Sequence, residues 1–283
     1  MALILPSDSK VAVIVAPNGA RKTKDDHPHL PISEHEIIEE VIACRDAGAA
    51  MVHLHARDGN GQHTLAIDDN LQLLEAVTAA VGDSIIVQLT TEAVGKYTAT
   101  EQMSLIRETR PEAASFSLRE LIPYDSGYQS ARDFFHWLVE ENIISQIILY
   151  DQHDVQRYFR LRHEQVLPKE MQHALMVLGR YQEHSLPSPW NLRDVQLERF
   201  VNERVRCAMC AFGEQEQACL VSAMLLGIDV RVGFENNLLN SYGHLAQSNA
   251  EQVSRLKDVS ERLNIQWHDA ASFRLALTHD LIE

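Results

Sequence analysis

His53-Leu54-His55-Ala56-Arg57 is the densest concentration of reactive side chains in the chain. In an extended segment, side chains two residues apart share a face, so His53, His55 and Arg57 point the same way. Two imidazoles so placed suit cis positions on one Zn²⁺, leaving room for a third ligand and a substrate. The plain alternative is a pair of buried, hydrogen-bonded histidines. A second segment, Arg231-Val232-Gly233-Phe234-Glu235-Asn236-Asn237, sets Arg231, Gly233 and Glu235 on one face. Glu235 would complete a His₂Glu set, a ligand pattern of catalytic zinc with open coordination positions.

Weaker signals surround these two. Asn18-Gly19-Ala20-Arg21-Lys22-Thr23-Lys24 is a glycine-containing turn followed by three basic residues. It suits a carboxylate or phosphate, or is solvated surface charge. Thr90-Thr91-Glu92 and Ser115, Ser117 and Glu120 offer hydroxyls and carboxylates, residue types that strands also hold for propensity alone. His153, close after Asp151, is a further candidate ligand or proton carrier. Cys207 and Cys210 have CxxC spacing but lie in an apolar run, where the thiols fall on opposite faces. With no second pair, neither a zinc ribbon nor a redox motif is expected.

The elements that must position these residues repeat from end to end. Apolar runs at 11–17, 50–56, 84–90, 113–120, 146–151, 174–179, 205–212 and 230–235 alternate with helix-like stretches. Most runs are almost continuously apolar, as in parallel strands covered on both faces. The run at 113–120 is the weakest, because Ser115 and Ser117 interrupt it. Ser33 and Glu36 predict a capping box, and Ile37, Ile38, Val41 and Ile42 a helix ending at Gly48. Similar spacing predicts helices over 71–81, 134–139, 220–225 and 250–263. Eight alternations in 283 residues predict a single (β/α)₈ TIM barrel over 1–283, with an open doubly wound sheet as the rival. The segment from about 268 to 283 is expected to pack on the barrel, and the irregular stretch 181–190 to form a lid, an oligomer contact or a surface excursion. In such a barrel catalytic groups lie at the C-terminal strand ends. Strands two and eight flank strand one, which brings Glu235 toward His53 and His55.

Composition narrows the partners. Lys and Arg total 25 against 40 Asp and Glu, a net charge of −15, so the mean field repels nucleic acid and anionic membranes. A small anionic substrate stays compatible, since a local cluster can oppose the global sign. Four cysteines are too few for a disulfide scaffold, and no run of eighteen uncharged apolar residues suggests a membrane span. With no secretory pattern at the N-terminus, the expected location is cytoplasmic.

These segments together resemble the β-keto acid cleavage enzyme family. The resemblance runs through Asn18-Gly19-Ala20, Asp26-His27-Pro28, Ala47-Gly48-Ala49, the HxHxR segment, Thr90-Thr91, Ala93-Val94-Gly95, Ala211-Phe212-Gly213 and the RVGxE segment. It implies a zinc-bearing barrel, a homo-oligomer that is often a tetramer. It also implies condensation of a β-keto acid with acetyl-CoA, followed by cleavage to acetoacetate and a new acyl-CoA. Carried over, His53, His55 and Glu235 hold the metal, Arg231 supports acid–base chemistry, and Thr90 takes the place of a catalytic serine. Ser115 lies near a substrate-side hydroxyl, while Asn18, Arg21 and Arg57 fall among substrate-binding positions.

Two departures bear on mechanism. The family's best-known member acts on an aminated substrate and has a glutamate where this chain has Arg21, which points to a distal group that is negative or absent. It also has a proton-transferring aspartate where this chain has Asn236, and asparagine cannot act as a base. A metal-dependent TIM-barrel hydrolase and a non-catalytic binding barrel are the alternative readings.

Overall fold

Strands whose two faces are both covered need mostly apolar side chains, and the eight apolar runs largely meet that demand. In the computed structural model, which describes residues 10–124, 127–180 and 186–278, they become β1 (Val13–Val15), β2 (Met51–Leu54), β3 (Ile86–Leu89), β4 (Ala113–Ser117), β5 (Ile144–Leu149), β6 (His173–Leu178), β7 (Arg206–Ala211) and β8 (Asp229–Val232). All pair in parallel, in sequence order, into a closed barrel. The expected TIM barrel is therefore the fold, and the open sheet is not.

Alternate residues separate into two apolar layers. Val13, Val52, Leu89, Phe116, Ile147 and Met209 pack outward against the helices. Ile14, Met51, Ile86, Ala113, Leu175 and Cys210 fill the interior. Cys207 joins the outer layer and Cys210 the inner one, so the CxxC thiols do lie on opposite faces. All four cysteines are buried and unpaired.

The helices are α1 (Glu34–Asp46), α2 (Ile67–Val81), α3 (Ala99–Thr109), α4 (Leu118–Leu121), α5 (Gln129–Glu140), α6 (Gln152–His163), α7 (Leu197–Asn202), α8 (Glu216–Leu225), α9 (Asn249–Arg262) and α10 (Ala270–Thr278). Ser33 and Glu36 form the reciprocal capping box of α1, and Thr98 and Glu101 form another at α3. Within the irregular stretch 181–190, residues 181–185 lie outside the described residues; Pro189–Val195 is a 3₁₀ segment. Among the described residues no helix is long and apolar enough to cross a membrane.

The N-terminal end of the barrel is closed by the C-terminal segment. Trp267 bridges to Val11, and α10 buries Phe273 against His173 with ring centroids 5.7 Å apart. Residues 279–283 of the segment expected to pack there lie outside the described residues. Asp229, at the same end, accepts the Ala12 N–H at 2.6 Å and is paired with Arg206.

Candidate metal centre and active-site cavity

Toward the C-terminal strand ends the interior changes from apolar to polar. His53 on β2 is in register with Gln88 on β3. Ile14 on β1 pairs with both Met51 on β2 and Arg231 on β8, which fixes β1 between the two strands that carry the conspicuous motifs. After β8 the chain turns sharply: Asn236 and Asn237 N–H both donate to Gly233 O, and Glu235 N–H donates to Ala16 O at 3.1 Å. Gly233 permits this turn, since its φ is +136° and a Cβ there would stand 2.5 Å from Ala16 O. The turn carries Glu235 over β1 toward β2.

The three expected ligands meet. His53 Nε2 and His55 Nε2 are 3.1 Å apart, and Glu235 Oε2 is 3.2 Å from His55 Nε2 and 3.7 Å from His53 Nε2. All three side chains are buried. Burial pushes His53 down to about 4 and His55 well below the usual imidazole range, so both are neutral, as ligation requires. Burial alone would raise the Glu235 carboxyl, but Arg231 and the two histidines outweigh it and hold it well below the carboxylate range.

The donor set fits a metal ion. Two ligands bound tetrahedrally at about 2.0–2.1 Å stand roughly 3.3 Å apart, close to the three separations seen here. Gln88 Oε1 lies 2.8 Å from His53 Nδ1; as an acceptor it requires the proton on Nδ1 and leaves the Nε2 lone pair facing Glu235. His55 Nδ1 makes no hydrogen bond among the described residues and lies 3.9 Å from Glu92 Oε2.

The remaining sequence candidates divide into cavity walls and braces. His53, Thr90, Ser115, Arg180, Phe212 and Glu235 help line one cavity at the barrel mouth. The Ser115 hydroxyl is buried there without a partner among the described residues. Ser115 and Ser117 broke the apolar pattern of β4 because both face this cavity. Arg231 donates to Glu235 Oε1 and to Asn236 Oδ1, both at 3.0 Å. Arg57, in contrast, directs its guanidinium to the carbonyls of Gly19, Lys22 and Gly61. Asn18 donates to His55 O at 3.0 Å, and Lys22 to Glu235 O at 2.6 Å. The turn is thus bound down beside the candidate ligands, with Asn18 and Arg57, both expected at the substrate, and Lys22 all donating to backbone carbonyls. Arg21 is the exception: its side chain is 66% exposed, with Nε 3.9 Å from Glu92 Oε1. His153 is exposed and groups with Asp151 and Asp154, apart from the cavity lining.

Three further side chains at or beside the site were not singled out from the sequence. Arg180 lines the cavity, pairs with Glu92 and lies over the Phe212 ring at 5.0 Å. It directly follows the apolar run 174–179, so the strand-end rule could have found it. Gln88 is a polar residue at inward parity within an apolar run, a detectable signal. Glu216 had none, because only the fold brings α8 beneath the β8 turn.

A closed (β/α)₈ barrel with a buried His–His–Glu cluster and arginine support at its C-terminal mouth defines a class of barrel enzymes built around a candidate metal centre. The chain belongs to the β-keto acid cleavage enzyme family, whose model matches residues 10–278. A 3-keto-5-aminohexanoate cleavage enzyme from Fusobacterium nucleatum is 28% identical over 262 residues, covering 90% of this chain and 92% of the relative. A 3,5-dioxohexanoate:acetyl-CoA acetone transferase from Paraburkholderia graminis is 25% identical, covering 90% and 91%. Among solved structures, ObcA in a ternary complex with a C4-CoA adduct and oxalate has a TM-score of 0.66 at 20% identity. That likeness, over 87% of this chain and 67% of ObcA, is one of fold.

Proposed function

We propose that this protein is a zinc-dependent β-keto acid cleavage enzyme that uses acetyl-CoA as co-substrate. The observation that carries the reading is the His53–His55–Glu235 triangle, buried at the mouth of a barrel of this family. The net reaction transfers the acyl group of R–CO–CH₂–COO⁻ to CoA and leaves the acetyl group on the two-carbon carboxylate, giving acetoacetate and R–CO–SCoA. Zinc bound by the three residues would supply Lewis-acid polarisation of the keto oxygen.

The chain's own residues supply orientation and charge. Arg231, fixed between Glu235 and Asn236, presents a buried cation where negative charge develops. Thr90 and Ser115 offer hydroxyls to the substrate, and Ile148, Val177 and Phe212 exclude water around it. Asn236 holds Arg231 but cannot accept a proton. Proton transfer therefore falls to a cavity carboxylate or to water. Glu92 is the carboxylate nearest His55 after Glu235, and burial raises it above the usual range.

Arg21 and Arg180 at the mouth support a substrate whose distal group is anionic or uncharged, and they oppose the chain's overall acidity locally. The family resemblance supports a homotetramer, and the composition a cytoplasmic location. The deciding experiment offers a panel of β-keto acids with acetyl-CoA to the zinc-loaded protein and measures acetoacetate. Acetoacetate and a new acyl-CoA in equal amounts are expected. Substrate loss without acetyl-CoA would instead favour a hydrolase, and no turnover with full zinc a binding barrel.

A further inference from the structure

Asn236 is held between the buried guanidinium of Arg231 and the buried carboxyl of Glu216, which burial pushes up to about 8. Its Oδ1 accepts from Arg231 Nη2 at 3.0 Å, while its Nδ2 donates to Glu216 Oε1 at 3.3 Å and to Arg231 O at 3.1 Å. Arg231, Glu216 and Asn236 are each at most 3% exposed. Glu216, the first residue of α8, also accepts from Gly233 N–H at 3.4 Å and from Asn237 Nδ2 at 3.3 Å. Its carboxyl group thereby touches residues on both sides of Glu235 without touching Glu235 itself.

We propose that Glu216 is a positioning residue of the metal centre, acting through Asn236 on Arg231 and through Arg231 on Glu235. Arg231 engages Glu235 Oε1, which leaves Oε2 turned to the two histidines. The inference rests on the metal-site reading above and extends it to a residue outside the cavity. The amide at 236 is the chemical requirement of the chain of contacts. It presents an acceptor to the guanidinium and a donor to the carboxyl group. An aspartate at 236 would set two buried carboxyl groups against each other, and an apolar residue would break the link between Arg231 and Glu216, leaving Arg231 to Glu235 and Glu216 to Gly233 and Asn237. Making Asn236→Asp and Glu216→Gln together restores the 216–236 contact with its direction reversed, while the contacts of Arg231 O and Gly233 N–H are lost. The carboxylate at 236 then accepts from Arg231 and from the amide at 216, whose oxygen still accepts from Asn237.

The test compares the full-length wild type, Glu216→Gln, Asn236→Asp and the double variant. Each is titrated with Zn²⁺ against a chromophoric chelator, and its thermal unfolding is followed. Each single change is expected to weaken Zn²⁺ binding about 10-fold, the scale of outer-shell ligand support, and the double variant to bind more tightly than either single variant. Single variants that melt earlier but bind Zn²⁺ as the wild type does would show a merely structural role and overturn the proposal. So would a double variant no better than the better single one. A wild type that binds no Zn²⁺ would overturn the metal-site reading and this inference together, whereas tight wild-type binding without rescue overturns the inference alone.

Discussion

Gly19 rests directly against the side chain of Glu235. A Cβ placed on Gly19 would stand 2.6 Å from Glu235 Cγ, and the residue's φ of +63° lies in the left-handed region. The turn after β1 therefore forms one wall of the metal site, with Arg57 and Lys22 holding it in place through backbone carbonyls.

Gly19→Ala is expected to displace Glu235 and to carry a left-handed backbone cost of about 1–2 kcal/mol. Zn²⁺ affinity, read by chelator competition, should fall together with thermal stability. Unchanged affinity would show that the glycine serves the turn alone.

Purified protein should contain about one zinc per chain, and His53→Ala and Glu235→Gln should each lose it. Glu235→Gln also removes the partner of buried Arg231, a loss of roughly 3 kcal/mol or more in stability. Full metal retention in both variants, measured by elemental analysis, would refute the ligand assignment.

Arg21→Glu should shift preference toward β-keto acids with a cationic distal group. The guanidinium is mostly exposed, where ion pairs are worth at most about 1 kcal/mol, so a change of about 5-fold in relative kcat/KM is expected. An unchanged substrate profile would remove Arg21 as a selector.

His173 sets an acid limit on stability. It is buried at the closed end of the barrel, receives the Gln146 amide at 3.0 Å, and faces Asp229, Arg206 and Phe273. Burial pushes it down to about 4 from an ordinary 6.5. Between those values the unfolded chain binds the extra proton, so this contribution is complete above pH 6.5 and is lost as pH falls through about 4. The loss is on the order of 3 kcal/mol. His173→Gln should flatten the acid limb of a denaturation series; a limb of unchanged slope would place the titration elsewhere.

Periodicity and residue type made the barrel and its candidate metal cluster legible. Eight apolar runs were readable because a strand covered on both faces admits few polar residues, mostly at its ends or where it meets a cavity. Ser115 and Ser117 on β4 are such an exception, weak as pattern and informative as site. His53 and His55 share a face by strand geometry, and barrel closure alone places Glu235 near them. The roles of Arg57, Lys22 and Asn18 were not legible, because whether a basic or amide side chain meets substrate or a carbonyl depends on which loop folds over it.

The order of elements and the shared face of His53 and His55 were thus determined by local sequence, since alternation and strand-end position are properties of neighbouring residues. The Gly19–Glu235 contact, the Arg180–Glu92 pair and the Glu216–Asn236–Arg231 connection were decided by tertiary structure alone. Each joins segments tens to hundreds of residues apart, and at that separation no local periodicity records which side chains meet when the barrel closes.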